Sequence, residues 1–291
     1  MIERAAGRED LPEVLALYVA FDLATRGFAD SDEGDVTGDW DAPGFAMDES
    51  TRVLERDGRV LGYAVVDAQG VGDTVTDLTV PDDGAVDRLL DWLESRPHPR
   101  LQHYLQVGDA EGEARFLRRG WLPARRFWRM RLELDGPTPA PAWPEGTTVR
   151  ELDPDRDGPA VHDLVQTAFA DVGDGHERQP YALWAQRVLG ERFVPALSLL
   201  ADAGGEVVGA CLGQDVEDYA FVRQLAVRAD QRGRGTALAL LHEQFRRAAA
   251  RGLPAVVLGV DAANATGATR LYERAGMRVA EEFTRWDLER R

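Results

Sequence analysis

Residues 225–241 read Leu225-Ala226-Val227-Arg228-Ala229-Asp230-Gln231-Arg232-Gly233-Arg234-Gly235-Thr236-Ala237-Leu238-Ala239-Leu240-Leu241. A hydrophobic strand here runs into a turn with two glycines and two arginines, and the turn opens directly into an apolar helix. Glycines let the backbone approach an anion closely, and the N–H groups and dipole at the start of a helix favour negative charge. Arg232 and Arg234 add guanidinium groups for charge-assisted hydrogen bonds. The stretch therefore predicts a strand–loop–helix unit that binds a diphosphate.

This loop differs from two widespread phosphate-binding loops. No Gly-Lys-Ser/Thr follows it, and it lacks the Gly-x-Gly-x-x-Gly pattern of dinucleotide folds. Residues 232–237 read Arg-x-x-Gly-x-Ala, which resembles the coenzyme A pyrophosphate loop of the GCN5-related N-acetyltransferase (GNAT) superfamily. The resemblance implies acetyl-CoA as the cofactor. It also implies that the strand and the loop bind it, through Leu225, Ala226, Val227, Arg232, Gly233, Arg234, Gly235, Thr236 and Ala237.

A second motif follows the loop helix in the order that this superfamily shows. After an apolar strand at residues 253–261 come Asn264, a short helix and the run Leu-Tyr272-x-x-x-Gly-Met277. This is similar to the superfamily's Asn followed by Leu-Tyr-x-x-x-Gly-Phe, with Met277 in place of Phe. The resemblance implies that Asn264 hydrogen-bonds the pantetheine arm and that Tyr272 protonates the departing thiolate. A phenol, with a pKa of about 10, is a competent proton donor to that leaving group.

The resemblance also implies how the thioester is held. The strand at residues 219–227 is expected to splay from the strand that carries residues 258–260, and coenzyme A enters the gap. Backbone groups of Leu225 and Val227 then pair with pantetheine as an added strand. An N–H near Leu225 stabilises the negative charge that develops on the thioester oxygen. The expected reaction is direct attack by an amine.

The chain shows one order of strands and helices twice, which predicts two tandem domains of the α/β class. The proline-rich segment 137–146 is typical of a stiff, extended linker. It separates a domain at residues 1–136 from a domain at residues 147–291. Each is expected to be GNAT-like, with a mixed, mostly antiparallel central sheet flanked by helices.

Only the second half carries the chemical groups. A strand is expected at residues 74–80, so that residues 78–80 (Leu-Thr-Val) stand where residues 225–227 stand. Residues 81–85 then read Pro-Asp-Asp-Gly-Ala, and their two acids would repel a diphosphate. Phe116, which has no hydroxyl, stands at the position of Tyr272. The first domain is therefore predicted to be degenerate and non-catalytic.

The sequence leaves the general base open. Many superfamily members place Glu or His shortly before the Leu-Ala-Val segment, but here those positions hold Phe221 and Arg223, which accept no proton at neutral pH. The candidate catalytic residues besides Tyr272 are therefore Glu217 and Asp218, with Asp261 as a further carboxylate, acting directly or through a water. The other possibility is an amine that arrives already neutral.

Two features bear on the acceptor, and they favour opposite charges. Arg223 shares the predicted strand face of Phe221 and Leu225, towards the cleft, and suits a carboxylate or phosphate. The acidic segment 171–177, which includes Asp174, occupies the superfamily's usual acceptor-binding region and suits an amine-rich acceptor. The acceptor is therefore predicted only as an amine on a small molecule.

Two alternative functions remain open. The tandem layout resembles mycothiol synthase, which acetylates a cysteinyl-glucosaminyl-inositol, although that family's catalytic Glu falls at Phe221 here. A non-catalytic acyl-CoA-binding module would explain the missing base, although such a module has no need of Tyr272.

Composition limits the partners and the location. The 34 basic and 51 acidic residues give a formal net charge of −17, which argues against nucleic acid and anionic membrane surfaces. A single cysteine, Cys211, excludes an internal disulfide, and five scattered histidines predict no metal site. There is no apolar run of about 18 residues, and no signal peptide is expected. A cytoplasmic monomer or homodimer is expected.

Overall fold

The computed structural model describes residues 1–26, 29–42, 44–80, 84–170, 178–190, 192–216, 218–264 and 266–290. The chain forms two compact units, Met1–Ala124 with Thr284–Arg291, and Arg125–Phe283. This division differs from the predicted boundaries at residues 136 and 147. The reason is that strand β6 (Leu122–Glu133) pairs along β11 (Ala255–Asp261) of the second unit, so most of β6 belongs to that unit.

The first unit is built on a four-stranded antiparallel sheet in the order β1-β2-β3-β4. Its elements are β1 (Ile2–Arg4), α1 (Leu11–Arg26), α2 (Glu33–Trp40), α3 (Met47–Ser50), β2 (Thr51–Arg56), β3 (Arg59–Val66), β4 (Gly72–Thr76), α4 (Ala85–Ser95), β5 (Arg100–Gln106) and α5 (Ala110–Arg118). Strand β3 is buried on both faces because alternate residues enter different cores. Ala64 and Val66 pack in the cluster that α4 covers, and Tyr63 and Val65 pack in the cluster that α1 covers.

The segment after β4 corrects one prediction. The strand expected at residues 74–80 ends at Thr76. The Asp77 carboxylate accepts hydrogen bonds from the N–H of Thr79 at 2.8 Å and from Arg59 at 2.7 Å. These bonds make a side-chain-stabilised turn, and Leu78 is exposed. Residues 78–80 therefore do not end a strand as residues 225–227 do.

Phe116 is a core residue of the first unit. Its side chain is 2% exposed and contacts Trp121 and Trp286, with ring centroids 5.0 and 5.8 Å away. His103 packs against the same ring at 5.1 Å. The position that corresponds in sequence to Tyr272 thus serves packing here.

The second unit contains a mixed sheet in the order β7-β8-β9-β10-β11-β6, followed by the first part of β12. Its elements are most of β6, then β7 (Thr147–Glu151), α6 (Pro154–Ala170), α7 (Tyr181–Val188), β8 (Leu199–Ala203), β9 (Glu206–Val216), β10 (Tyr219–Val227), α8 (Thr236–Ala250), β11, α9 (Ala268–Arg274) and residues 278–283 of β12 (Arg278–Glu289). The pair β10–β11 is parallel, and β6–β11, β7–β8, β8–β9 and β9–β10 are antiparallel. The predicted class, α/β with mixed and mostly antiparallel sheets, is confirmed.

Helices cover both faces of this sheet. On β9, Cys211 joins the core cluster beneath α8, whereas Ala210 and Leu212 join the cluster beneath α6. The alternation follows from the two-residue period of a strand. Cys211 is therefore a buried residue of the core.

Asp157 fastens the start of α6 to β7. Its carboxylate, 6% exposed, accepts hydrogen bonds from Arg150 at 2.6 Å and from Arg156 at 3.0 Å. Burial alone would raise the pKa of Asp157, but the hydrogen bonds from Arg156, Arg150 and the Asp153 N–H hold it below its ordinary value.

Candidate functional site

The loop between β10 and α8 has a conformation that its glycines make possible. After β10 the chain forms a 3₁₀ turn at Ala229–Gln231. Gly233 and Gly235 then adopt φ values of +78° and +95°, which residues with a Cβ rarely adopt. Gly235 immediately precedes α8, and no side chain caps the helix there. The predicted strand–loop–helix unit is present.

The N–H groups at this helix start are available to a ligand. Within the described residues, no hydrogen bond uses the N–H groups of residues 233–238. Unsatisfied donors at a helix N-terminus, together with the helix dipole, bind anions. The loop therefore fits the diphosphate of coenzyme A.

The two loop arginines have different roles. Arg232 donates from Nε to the Val227 carbonyl at 3.0 Å, so it fastens the loop to the end of β10. Arg234 is exposed, and it has no hydrogen bond or ion pair among the described residues. Arg228, just before them, is bound to Glu206 and Asp230 at 2.6 and 2.7 Å. Arg234 is thus the guanidinium in this loop that can turn to a phosphate.

Strands β10 and β11 separate along their length. In the described residues their pairing covers three residues of each strand and ends at Val222 and Leu258. Beyond that point β10 stays paired with β9, and β11 with β6. Gly259 is exposed, and a Cβ placed on it would meet no atom within 4 Å. The separation leaves two strand edges whose backbone groups can pair with an extended ligand.

Asn264 lies in the turn after β11. Its Oδ1 accepts hydrogen bonds from the Thr266 N–H at 2.9 Å and from the Thr266 hydroxyl. Helix α9 begins only after Gly267, so Asn264 does not cap it. The oxygen is used by its own turn, and the described residues offer no acceptor to Nδ2. The group that Asn264 can offer a ligand is therefore the amide nitrogen.

Tyr272 lies on α9 beside the middle of the sheet. Its ring and Leu225 both pack against the core cluster beneath α8. Burial, and to a lesser degree the nearby Cys211, raise the pKa of Tyr272. Cys211 is the register partner of Leu225, which places the phenol near the level of Leu225. The hydroxyl forms no hydrogen bond with any described residue, so its proton is available to a ligand.

The carboxylates predicted as bases are placed differently from one another. Asp218 is exposed in the turn before β10, about 23 Å along the strand from Leu225 at about 3.3 Å per residue. Asp261 is the last residue of β11, three residues beyond the end of the pairing with β10 at Leu258. Its carboxylate accepts from Arg125 at 3.0 Å and from the Ala263 N–H at 2.8 Å. Glu217 lies outside the described residues.

Arg223 interrupts the pairing of β10 with β9. Val222 pairs with Gly213 and Gln224 pairs with Leu212, so Arg223 is the extra residue of a β-bulge. The prediction assumed regular alternation with Phe221 and Leu225, and the bulge breaks that alternation. The side chain is exposed. Asp174, the other predicted acceptor residue, lies outside the described residues, as does the rest of segment 171–177.

Two further arginines, which no sequence pattern indicated, lie near Arg223. The carbonyl of Arg187 accepts from Gln214 Nε2 at 2.9 Å, and the carbonyl of Arg192 accepts from the Asp215 N–H at 3.1 Å. Desolvation, together with the charges of Arg187 and Arg192, lowers the pKa of Arg223. They escaped prediction because one is on a helix and the other in a loop, and each is separated from β10 by more than 25 residues of chain.

The described residues contain no group of three or more His, Cys, Asp or Glu side chains that could hold a metal ion. The same residues include no helix with the length and hydrophobicity needed to cross a bilayer.

Comparison with known proteins gives consistent results. The model of the acetyltransferase (GNAT) family matches residues 159–277. The mycothiol acetyltransferase of Thermobispora bispora is 37% identical over 183 residues, which are 58% of this chain and 57% of that protein. The mycothiol acetyltransferase of Saccharopolyspora erythraea is 31% identical over 274 residues, 85% of each chain.

Solved structures extend the similarity over the full chain. A GCN5-related N-acetyltransferase from Sphaerobacter thermophilus is 31% identical, with a TM-score of 0.80 over 99% of this chain and 95% of that one. A tandem GNAT protein from the clavulanic acid biosynthesis pathway is 17% identical and shares the fold, with a TM-score of 0.75 over 99% of this chain and 98% of that one. The chain therefore belongs to the GNAT family, which confirms the predicted family, fold class, acetyltransferase activity and acyl donor, acetyl-CoA.

Proposed function

We propose that the second unit transfers an acetyl group from acetyl-CoA to an amine of a small molecule by direct attack. One observation carries the proposal. The β10–α8 loop presents unpaired N–H groups after the end of β10, and Tyr272 presents an unpartnered hydroxyl near the level of Leu225, beside the separated strands. A donor that is a diphosphate at one end and a thioester at the other fits both.

The donor is held mainly by backbone groups. The N–H groups of residues 233–238 and the Arg234 guanidinium bind the diphosphate. The free edge of β10, through Leu225 and Val227, pairs with the amide groups of pantetheine. Asn264 donates from Nδ2 to the same arm.

Acetyl-CoA supplies an acyl group that is already activated as a thioester. A backbone N–H near Leu225 stabilises the charge that develops on the carbonyl oxygen. Tyr272 donates its proton to the departing sulfur as the carbon–sulfur bond breaks. Because its pKa is raised, Tyr272 holds that proton throughout the neutral range.

The attacking amine is taken up as the free base. Phe221 and Arg223 accept no proton, and Asp218 is far along the strand from Leu225. Asp261, at the end of β11, is engaged by Arg125. The rate is therefore expected to rise with pH as the acceptor's own ammonium group loses its proton.

The first unit is proposed to be a non-catalytic partner, since Phe116 is a packed core residue there. The predicted cytoplasmic location and the monomeric or homodimeric state remain predictions.

A second candidate acceptor is the substrate of mycothiol acetyltransferase. The relatives that carry this name favour it, including one that is similar over 85% of its length. Phe221, where that family's catalytic Glu was expected, counts against it.

The test is release of free thiol from acetyl-CoA with a panel of amines, comprising aminosugars, polyamines, amino acids, peptide N-termini and cysteinyl-glucosaminyl-inositol. Release with one class, and its N-acetyl product by mass spectrometry, is the expected result. Binding of acetyl-CoA without release for any amine would instead identify a non-catalytic binding module.

A further inference from the structure

We propose that Gln224 determines acceptor specificity, by donating a hydrogen bond from its side-chain amide to an oxygen atom that the acceptor carries next to its amine. That oxygen belongs to a hydroxyl or carbonyl group. The proposal rests on the proposed function, since it concerns the acceptor of that same site. It is carried by the orientation of the Gln224 amide and by the open face of the sheet beside it.

The bulge at Arg223 turns Gln224 to the face of the sheet that α6 covers. Val222 packs in the core cluster beneath α8, so regular alternation would place Gln224 there as well. The extra residue reverses this, because a bulge re-aims the side chains that follow it. Ala226 packs in the cluster beneath α6, and Gln224 bonds to Trp184 of that same cluster. Gln224 thus lies on the opposite face of the sheet from α8.

Trp184 fixes which end of the Gln224 amide is free. The Trp184 ring is fully buried, and its indole nitrogen donates to Gln224 Oε1 at 2.8 Å. An indole N–H only donates, so the atom that faces it must be the amide oxygen. Gln224 Nε2 then remains, and it has no hydrogen bond with any described residue. This half-buried side chain offers a donor whose pairing with a ligand oxygen would recover free energy.

The face on which Gln224 lies is open at the gap between β10 and β11. Leu258 and Val260 pack beneath α8, so Gly259 between them faces the other side. Gly259 is exposed, and a Cβ placed on it would meet no described atom within 4 Å. Gly259 directly follows the last residue of β11 that pairs with β10, and Gln224 is two residues beyond the last paired residue of β10, Val222. A small molecule therefore has room beside the Gln224 amide.

The other face leaves no such room. Leu225 and Tyr272 both pack against the core cluster beneath α8, and Leu258 is part of that cluster. In the proposed reaction the thioester lies at Leu225, and Tyr272 protonates the sulfur from the α8 side. The amine consequently reaches the thioester carbon from the α6 side, where Gln224 precedes Leu225 in the chain. A donor there suits an oxygen on the carbon next to the amine, and it disfavours a bare alkylamine, which leaves Nε2 unpaired.

The test compares matched acceptors on the full chain. In one pair trans-2-aminocyclohexanol is compared with cyclohexylamine, which tests a hydroxyl, and in the other alaninamide is compared with sec-butylamine, which tests a carbonyl. Thiol release, corrected for the free-base fraction of each amine, gives kcat/KM, and calorimetry on the CoA-saturated protein gives affinity without requiring turnover. We expect the oxygen-bearing member of at least one pair to be preferred by about three- to tenfold, as one neutral hydrogen bond provides.

Two variants of Gln224 separate its donor from its contact with Trp184. Gln224→Glu keeps an oxygen for Trp184 Nε1 and loses the donor, whereas Gln224→Met is neutral and loses both. Each should lower the ratio between the paired amines by about three- to tenfold, through a higher KM for the oxygen-bearing acceptor with the KM for acetyl-CoA unchanged. Trp184→Phe, which frees the amide to turn, should lower the ratio less. Gln69→Glu, an equal change of charge at an exposed turn residue of the first unit, should leave the ratio as it is.

Because each variant is compared with the parent on the same two amines, their intrinsic reactivities cancel. A ratio that both Gln224 variants leave intact, or equal affinity for both members of both pairs, overturns the inference. An equal loss of acetyl-CoA affinity in these variants would show a structural role and overturn it as well. Turnover of all four amines at equal kcat/KM would do so while leaving the proposed function standing, whereas preferential binding of the oxygen-bearing amine without thiol release would contradict the proposed function only.

Discussion

Tyr272→Phe removes one oxygen atom and leaves the ring packed against the core cluster beneath α8. The lost hydroxyl has no hydrogen bond to described residues, so the free energy of unfolding should change by about 0.5 kcal/mol or less. General acids contribute about 10²- to 10⁴-fold to a rate. We expect the lower end, about 100-fold in kcat or about 3 kcal/mol in barrier height, because a thiolate is already a fair leaving group.

The assay is steady-state thiol release with the preferred amine, alongside calorimetry of acetyl-CoA binding. The variant should bind acetyl-CoA as the parent does and lose turnover. Tyr104→Phe is the matched control, since Tyr104 is 38% exposed on β5 of the first unit and should be silent. An unchanged kcat for Tyr272→Phe would refute the assignment of the proton donor, and weaker acetyl-CoA binding with unchanged kcat would make Tyr272 a binding residue.

Three further predictions concern stability and the loop. Gly235→Ala places a Cβ at a residue with φ +95°, where no atom lies within 4 Å, so the destabilisation is conformational. It should lower the free energy of unfolding in urea by about 1–2 kcal/mol and weaken acetyl-CoA binding. Gly136→Ala, at an equally open position without positive φ, should change neither the stability nor the binding. Burial raises the pKa of the Cys211 thiol, so the folded state holds the thiol proton more tightly than the unfolded state does. The contribution of the neutral thiol to the free energy of unfolding is therefore fully present below about pH 8.5 and is lost as the pH rises further. A Tm that stays level through alkaline pH in the presence of reductant would contradict this. Asp157→Asn should lower the free energy of unfolding by about 1.5–3 kcal/mol, because two arginine hydrogen bonds lose their charge. In the same urea titration Asp163→Asn, which removes the charge from the exposed ion pair with Arg178, should lower the free energy of unfolding by less than about 1 kcal/mol. Equal losses of stability in the two variants would show that the burial of Asp157 does not matter.

The donor side of the site could be predicted from sequence because its signals are local. Glycines with positive φ before a helix, and a strand that leads into them, are properties of adjacent residues. The strand predicted at residues 219–227 has those bounds in the structure, and the apolar helix predicted after the turn begins at Thr236. The short helix Glu33–Trp40 was missed, since its apolar side is little more than Val36 and Trp40, and its cap is a reciprocal pair between Asp32 and Asp35.

The acceptor side could not be predicted because it depends on long-range register. A bulge at Arg223 is a mismatch between β9 and β10, and no residue of β10 alone reveals it. Arg187 and Arg192 lie near Arg223 in space, where Gln214 and Asp215 of β9 bind their backbone carbonyls. The division of the chain at Ala124 likewise depends on the pairing of β6 with β11. The proline-rich segment after β6 indicated a boundary there instead.

A crystal structure of the protein with coenzyme A would show whether the β10–α8 loop binds the diphosphate. We expect diphosphate oxygens within about 3 Å of backbone nitrogens among residues 233–238, and the pantetheine arm between β10 and β11. Coenzyme A bound elsewhere, with those N–H groups facing only solvent, would contradict it.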